Sequence, residues 1–287
     1  MGPPMPSATA TWHNDTYAAI SPLRPELSAR DKTVVIIGAG SGIGRQTALS
    51  FANAGAARIV LIGRTESTLK ETAALLPTSA SSVVQVVDIT DEAALKSAAA
   101  SIGTWDVLVL SAVYASAVST IAATDVDEWW KGFETNVKGT FLAVKTFIPT
   151  AAKPNAAVLA VTSGTVAFPP AMAQGMSSYN ASKLAQVKLV EYLAFEQPDI
   201  HAVAVHPGIH DTAVLAKSGA KPDQVPLDNI KLAGDFLVWL ASPEAAFLKG
   251  RTVWANWDVD ELKAQAETIQ AGVTHTSGLN GWPYPNM

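Results

Sequence analysis

Tyr179-Asn180-Ala181-Ser182-Lys183 sets a phenol and an ammonium four residues apart, a spacing that a helix places on one face. An ammonium beside a phenol favours the phenolate and draws its pKa down from about 10, as a general acid/base requires. With five tyrosines in the chain the pair alone is a weak signal; order and surroundings give it weight. Upstream, Val161-Thr162-Ser163-Gly164 ends an apolar, β-branched run on a hydroxyl. Farther upstream, Phe133-Glu134-Thr135-Asn136-Val137-Lys138-Gly139 carries an amide within a helical pattern. Taken singly, Ser163 reads equally as a strand-end turn and Asn136 as a helix-bend amide.

A second group of residues suits a dinucleotide. The run Thr33–Ile37 leads directly into Gly38-Ala39-Gly40-Ser41-Gly42-Ile43-Gly44, which opens a helical pattern. Such a loop lets the backbone approach a pyrophosphate, and the following helix N-terminus presents free N–H groups. Gly38, Gly42 and Gly44 give G-x-x-x-G-x-G rather than G-x-G-x-x-G, because Ile43 stands where the latter needs glycine. After the next apolar run comes Leu61-Ile62-Gly63-Arg64-Thr65. A carboxylate here would take ribose hydroxyls and repel a 2′-phosphate; Gly63 followed by the Arg64 guanidinium predicts a preference for NADP(H). Arg45, just past the loop, either assists or is solvated.

These residues need a frame, and the chain supplies a regular one. Short runs rich in β-branched residues fall at Thr33–Ile37, Arg58–Ile62, Val83–Val87, Val107–Leu110, Ala157–Val161, Ile200–His206 and Arg251–Trp254. Between them lie helical patterns, among them Ile43–Ala54, Leu69–Leu76, Ala93–Ser101, Phe133–Phe147, Ala181–Phe195 and Leu227–Leu240. The alternation predicts an α/β fold: a doubly wound parallel sheet of about seven strands with helices on both faces. One domain is expected over 32–270. Residues 1–31, with five prolines, form an arm that packs on the body or stays mobile. The stretch 212–225 is expected to be a substrate lid, and 271–287 a tail on a neighbouring surface or in solvent.

Taken together, the glycine loop, Asn136, Ser163, Tyr179 and Lys183 resemble the short-chain dehydrogenase/reductase family, across roughly residues 32–255. The resemblance implies its Rossmann-type fold and an oxidoreductase acting on a carbonyl or secondary alcohol. It implies that Tyr179 donates a proton to a carbonyl oxygen, Ser163 hydrogen-bonds that oxygen, and Lys183 binds the nicotinamide ribose. Asn136 would hold a water that relays protons through Lys183. For the cofactor it implies Gly38, Ser41, Gly42, Ile43, Gly44, Arg64, Asp88, Ile89, Ser111, Ala112, Pro207, Gly208 and Thr212, beside Tyr179 and Lys183. Asp88 would meet the adenine, although Asp before a helix could equally be a cap. The resemblance also implies a homodimer or homotetramer built through the helices carrying Asn136 and Tyr179.

The chain departs from the family at Leu110-Ser111-Ala112-Val113, where Asn-Asn-Ala-Gly is usual, and in the sixteen residues from Ser163 to Tyr179, about three more than usual. The extra residues fall in Phe168–Met176, whose Phe and two Met suit an apolar or aromatic substrate. Trp254, Trp257 and Asp258–Leu262 resemble the tail of fungal members, many of which act in specialised metabolism. A non-redox isomerase, lyase or cyclase retaining NADP, and a nucleotide-binding sensor without turnover, stand as alternatives.

Composition narrows the remaining classes. A formal net charge of −5 without long charge runs argues against nucleic-acid binding. The chain has no cysteine, which removes disulfides, thiolate metal sites and cysteine nucleophiles. His201, His206 and His210 lie on a strand and around a Pro-Gly turn without a second ligand set, so no metal is expected, though His210 could touch substrate. No apolar run suits a secretory signal or membrane span, and a cytoplasmic protein is expected.

Overall fold

A computed structural model describes residues 2–221 and 223–279. Seven parallel strands form one sheet: β1 Thr33–Ile37, β2 Arg58–Gly63, β3 Ser81–Val86, β4 Val107–Leu110, β5 Ala156–Val161, β6 Ile200–His206 and β7 Thr252–Trp254. Their order is β3-β2-β1-β4-β5-β6-β7, the doubly wound α/β arrangement expected. The chain order reverses between β1 and β4, so Gly38 and Ser111 leave neighbouring strands in opposite directions. A crevice at the carboxyl edge of the sheet follows.

Alternate residues of each strand serve opposite faces. Val34 and Ile36 pack with Phe51, Phe236 and Trp239 on one side. Val35 and Ile37 pack with Leu95, Trp105 and Phe147 on the other. The first face is covered by α1 Gly42–Asn53, α2 Glu66–Leu75 and, later in the chain, α8 Ile230–Leu240. The second carries α3 Glu92–Ile102, α5 Thr140–Phe147 and α6 Ser177–Glu196.

Several boundaries differ from the sequence reading. β3 begins at Ser81, because pairing with Arg58 recruits two polar residues at the sheet edge; Val87 follows the strand, its N–H on the Gly63 carbonyl. The helix read from Phe133 begins a turn and more earlier, as α4 Val126–Phe133 capped by Asp125. It continues as a π-helical turn, Glu134–Gly139, before α5. α6 likewise starts at Ser177.

The N-terminal arm packs on the body. Trp12 and Trp257 form an antiparallel bridge, the Ala10 and Thr11 N–H groups donate to Glu261, and Arg24 pairs with Glu244 at 2.7 Å. Beyond β6 lies α7 Ala213–Lys217, within the stretch read as a lid. Past β7 come α9 Val259–Ala264 and α10 Ala266–Ala271. Residues 272–279 return to the body through His275, whose carbonyl accepts the Thr252 N–H; the end of the tail, 280–287, lies outside the described residues. Among the described residues no helix is long and apolar enough to cross a membrane.

Candidate active site

A cleft of about 720 Å³ opens at the carboxyl edge of the sheet and runs from the glycine loop to Tyr179. Its wall includes Gly38, Ser41, Gly42, Ile43, Arg64, Asp88, Ile89, Ser111, Ala112, Ser163, Tyr179, Lys183, Pro207, Gly208 and Thr212. Two expected contact residues are not part of that wall. Gly44 lies beneath the loop, where any Cβ would collide with the Gly38 carbonyl oxygen, so it permits close helix–loop packing. Asn136 is wholly buried behind the cleft.

Asn136 sits in the π turn, which widens the helix and directs the amide toward the loop after β4. Its Oδ1 accepts the Tyr114 N–H at 2.8 Å, while Nδ2 donates to the Tyr114 carbonyl and to Ser182 Oγ, both at 2.9 Å. Its backbone carbonyl accepts the Thr140 hydroxyl at 2.7 Å. The Asn136 amide thus clamps Tyr114 and, through Ser182, braces the carbonyl of Tyr179.

Tyr179 projects from the first turns of α6. Burial raises its phenol above the usual range, and the Ser163 hydroxyl beside it offsets part of that rise. The depressed tyrosine expected from Lys183 is thus not what this geometry produces. Lys183 instead spends its charge on neutral acceptors: Nζ donates to the Val161 carbonyl at 2.8 Å and to Gln186 Oε1 at 3.0 Å. Burial lowers its pKa to about 7. Ser163 Oγ lies 2.8 Å from Thr165 Oγ1, which donates to Asn180 Oδ1 at 2.5 Å; Thr165 thereby links the serine hydroxyl to the turn of α6 that carries Tyr179.

At the other end, Gly38 turns with φ +97, and a Cβ there would stand 2.5 Å from the Ala112 nitrogen. Only glycine meets both demands. Ser41 precedes α1 without a side-chain cap, which leaves the first-turn N–H groups directed at the cleft. These features fit a pyrophosphate: a loop free of side chains, a helix N-terminus and the crevice between β1 and β4. Arg45 turns back onto the loop: it donates to the Gly40 carbonyl at 2.6 Å and to Thr72 and Glu71 at 3.0 Å, bracing the loop. Arg64, 70 % exposed, extends over the cleft 4.0 Å from Asp88, a loose pairing that leaves the guanidinium available to an anion. Asp88 also accepts from the Thr90 N–H and hydroxyl, while Asp91 caps α3, which settles the capping question against Asp88.

The loop after β6 is held by a residue the sequence reading passed over. Asp228 accepts the Ile209 N–H at 2.7 Å and the Asn14 amide at 2.6 Å, tying loop, helix α8 and N-terminal arm together. Thr165, Thr140, Gln186 and Tyr114 were missed likewise. The i,i+3 spacing of Lys183 and Gln186 on a helix was a usable signal for one of them. The histidines scatter: His201 contacts the Leu240 carbonyl, His206 packs on Trp254, and His210 lies between the Pro207 and Asp228 carbonyls. Burial drops His206 to about 3, so it is neutral. The outer wall is largely apolar, with Val113, Phe168, Met172, Met176, Leu215 and Val225, interrupted by Tyr114, Lys217 and Ser218.

Residues 32–223 match the short chain dehydrogenase family. The chain is 32% identical over 283 residues to the short chain dehydrogenase mpl6 of Monascus purpureus, covering 93% of this chain and 96% of that one. It is 33% identical over 272 residues to the short chain dehydrogenase/reductase AacuD of Aspergillus aculeatus, covering 91% and 92%. Among solved structures, a short chain dehydrogenase from Shigella flexneri, crystallised with NADP, superposes with a TM-score of 0.72 at 21% identity over 81% of this chain and 99% of the other. With the parallel sheet, the glycine loop and the Ser163–Tyr179–Lys183 cleft in one frame, the chain belongs to the short-chain dehydrogenase/reductase family of oxidoreductases.

Proposed function

We propose that this oxidoreductase uses NADP(H) to interconvert a carbonyl and a secondary alcohol on a lipophilic substrate, with Tyr179 as the general acid/base. The observation that carries the reading is the single cleft with Arg64 and the glycine loop at one end and Ser163, Tyr179 and Lys183 at the other. NADP(H), when bound, supplies or accepts the hydride.

The chain's own residues supply the rest. The α1 N-terminus and loop backbone hold the pyrophosphate, and Arg64 takes the 2′-phosphate as a charge-assisted pair. Lys183 directs its remaining N–H at the ribose and Ser163 presents its hydroxyl to the substrate oxygen. A phenol kept protonated by burial is a proton donor at neutral pH, as carbonyl reduction needs. The largely apolar outer wall favours an aromatic or cyclic substrate, in keeping with the fungal sources of the relatives and a place in specialised metabolism. Exposed Phe141 on α5 and Leu184, Tyr192 and Phe195 on α6 support a homodimer or homotetramer through those helices. A cytoplasmic location belongs to the same proposal.

NADPH consumption with a panel of aromatic and cyclic ketones tests the reading. Turnover that Tyr179→Phe abolishes supports it. NADPH binding without consumption, together with a substrate conversion that still needs Tyr179, would make the redox-neutral alternative correct. Val113 in the cleft wall is the observation favouring that second reading.

A further inference from the structure

The cleft changes character where its outer wall ceases to be apolar. Tyr114, in the loop after β4, and Lys217, the last residue of α7, both face the cleft there. Lys217 Nζ stands 4.8 Å from the centroid of the Tyr114 ring, a cation over an aromatic face.

Tyr114 is fixed on two sides and so offers a platform. The Asn136 amide binds both its N–H and its carbonyl, and its hydroxyl donates to the Glu128 carboxylate on α4. Glu128 is engaged a second time, by Lys131 at 2.9 Å. Its attraction to Lys217 is the least of the influences that hold the Glu128 carboxyl below its usual range. Among the described residues Lys217 forms no ion pair; its partner is the ring.

The wall around this pair is poor in negative charge. Among the described residues its one carboxylate is Asp88, which lies at the nucleotide end beside Arg64. A cation–π contact at an exposed site is weak, so the Lys217 ammonium can leave the ring for an anion at little cost. A lipophilic ligand packed on Val113 and Leu215 would strip water from such a pair and strengthen the attraction. A lysine that ends a helix also complements the helix dipole, but the five residues of α7 sum to a small one.

We propose that Lys217 is a specificity-determining residue: standing on Tyr114, it takes a carboxylate of the substrate, so that the cleft selects lipophilic carbonyl compounds carrying an acidic group remote from the carbonyl. The inference rests on the substrate reading above and narrows it from lipophilic to lipophilic and anionic. A charge placed at the outer wall discriminates between substrates without entering the chemistry at Tyr179.

The test is calorimetric titration of 2-naphthoate and of its uncharged isostere 2-naphthamide into the protein, saturated with NADP⁺ to keep the probes from the Arg64 end. The naphthoate is expected to bind about fivefold more tightly, the scale of one ion pair at a partly open site, and the difference shrinks as salt is raised. Lys217→Met abolishes the preference and Lys217→Arg retains it; Lys217 is exposed, so both replacements spare the core. Equal affinity for the two probes, failure of both to bind, or a preference that survives Lys217→Met overturns the proposal. A Lys217-dependent preference in a protein that consumes no NADPH with any ketone would sink the proposed function and leave the anion site standing. Ketone turnover without that preference would do the reverse.

Discussion

The two ends of the cleft are built by opposite means. At the nucleotide end the work is done by backbone: Ser41 and Gly42 offer N–H groups and a helix end, the Gly38 N–H is tied to the Ile62 carbonyl, and a Cβ at Gly38 would enter the Ala112 backbone. At the catalytic end it is done by side chains, held by a buried network through Asn136, Thr140, Ser182 and Gln186. A backbone site tolerates no added atom, whereas a side-chain site fails when an atom is removed. Substitutions of the two kinds should therefore separate binding from chemistry.

The largest separation is expected at Tyr179. Tyr179→Phe should lower kcat by about 10²–10⁴-fold, the usual share of a general acid, while NADPH affinity measured by fluorescence titration stays within about twofold. A parallel loss of affinity would mean that the two ends are not independent. Gly38→Ala should do the reverse. Its positive φ and backbone collision predict a stability loss of about 2–3 kcal/mol in thermal unfolding and NADP(H) binding weakened by about 100-fold.

A smaller effect tests the cofactor choice. Arg64→Ala should raise the KM for NADPH about tenfold and leave that for NADH unchanged, since a single charge-assisted pair to phosphate is lost. An equal change for both cofactors would place Arg64 outside the phosphate site.

The smallest effect sharpens the catalytic end through pH. Burial lowers Lys183 to about 7, so NADP(H) affinity should weaken several-fold as pH rises through that value and the ammonium loses its charge. The unliganded fold should move the other way. The unfolded chain keeps the Lys183 proton up to its ordinary value of 10.5, hence it binds more protons than the folded chain above about 7. This residue's contribution to stability accordingly rises with pH between those values, and Lys183→Met should remove both dependences. Paired binding and unfolding series at pH 6 to 9 would check the opposite signs.

What the sequence disclosed follows the same division. The glycine loop and the Tyr179–Lys183 pair are contiguous, so spacing alone conveys their local geometry. The strand alternation conveys the sheet because burial on both faces leaves the central strands almost wholly apolar. The edge strand β3 was shifted because its first residues, Ser81 and Ser82, are placed by pairing rather than by hydrophobicity. Gln186 with Thr140, separated by 46 residues, and Asn14 with Asp228, separated by 214, meet only in the folded chain. Pattern cannot reveal them. The depressed tyrosine pKa failed for a related reason: charge proximity is visible in a motif, but burial is not.

The central claim is hydride transfer to a carbonyl in the cleft that holds Tyr179. Incubation of the protein with NADPH stereospecifically deuterated at C4, using each C4 epimer in turn, and an accepted aromatic or cyclic ketone tests it most directly by mass spectrometry of the product. The account predicts one deuterium on the new carbinol carbon with one of the two epimers, and no product with Tyr179→Phe. Conversion without deuterium from either epimer, or with NADPH left unconsumed, would contradict it.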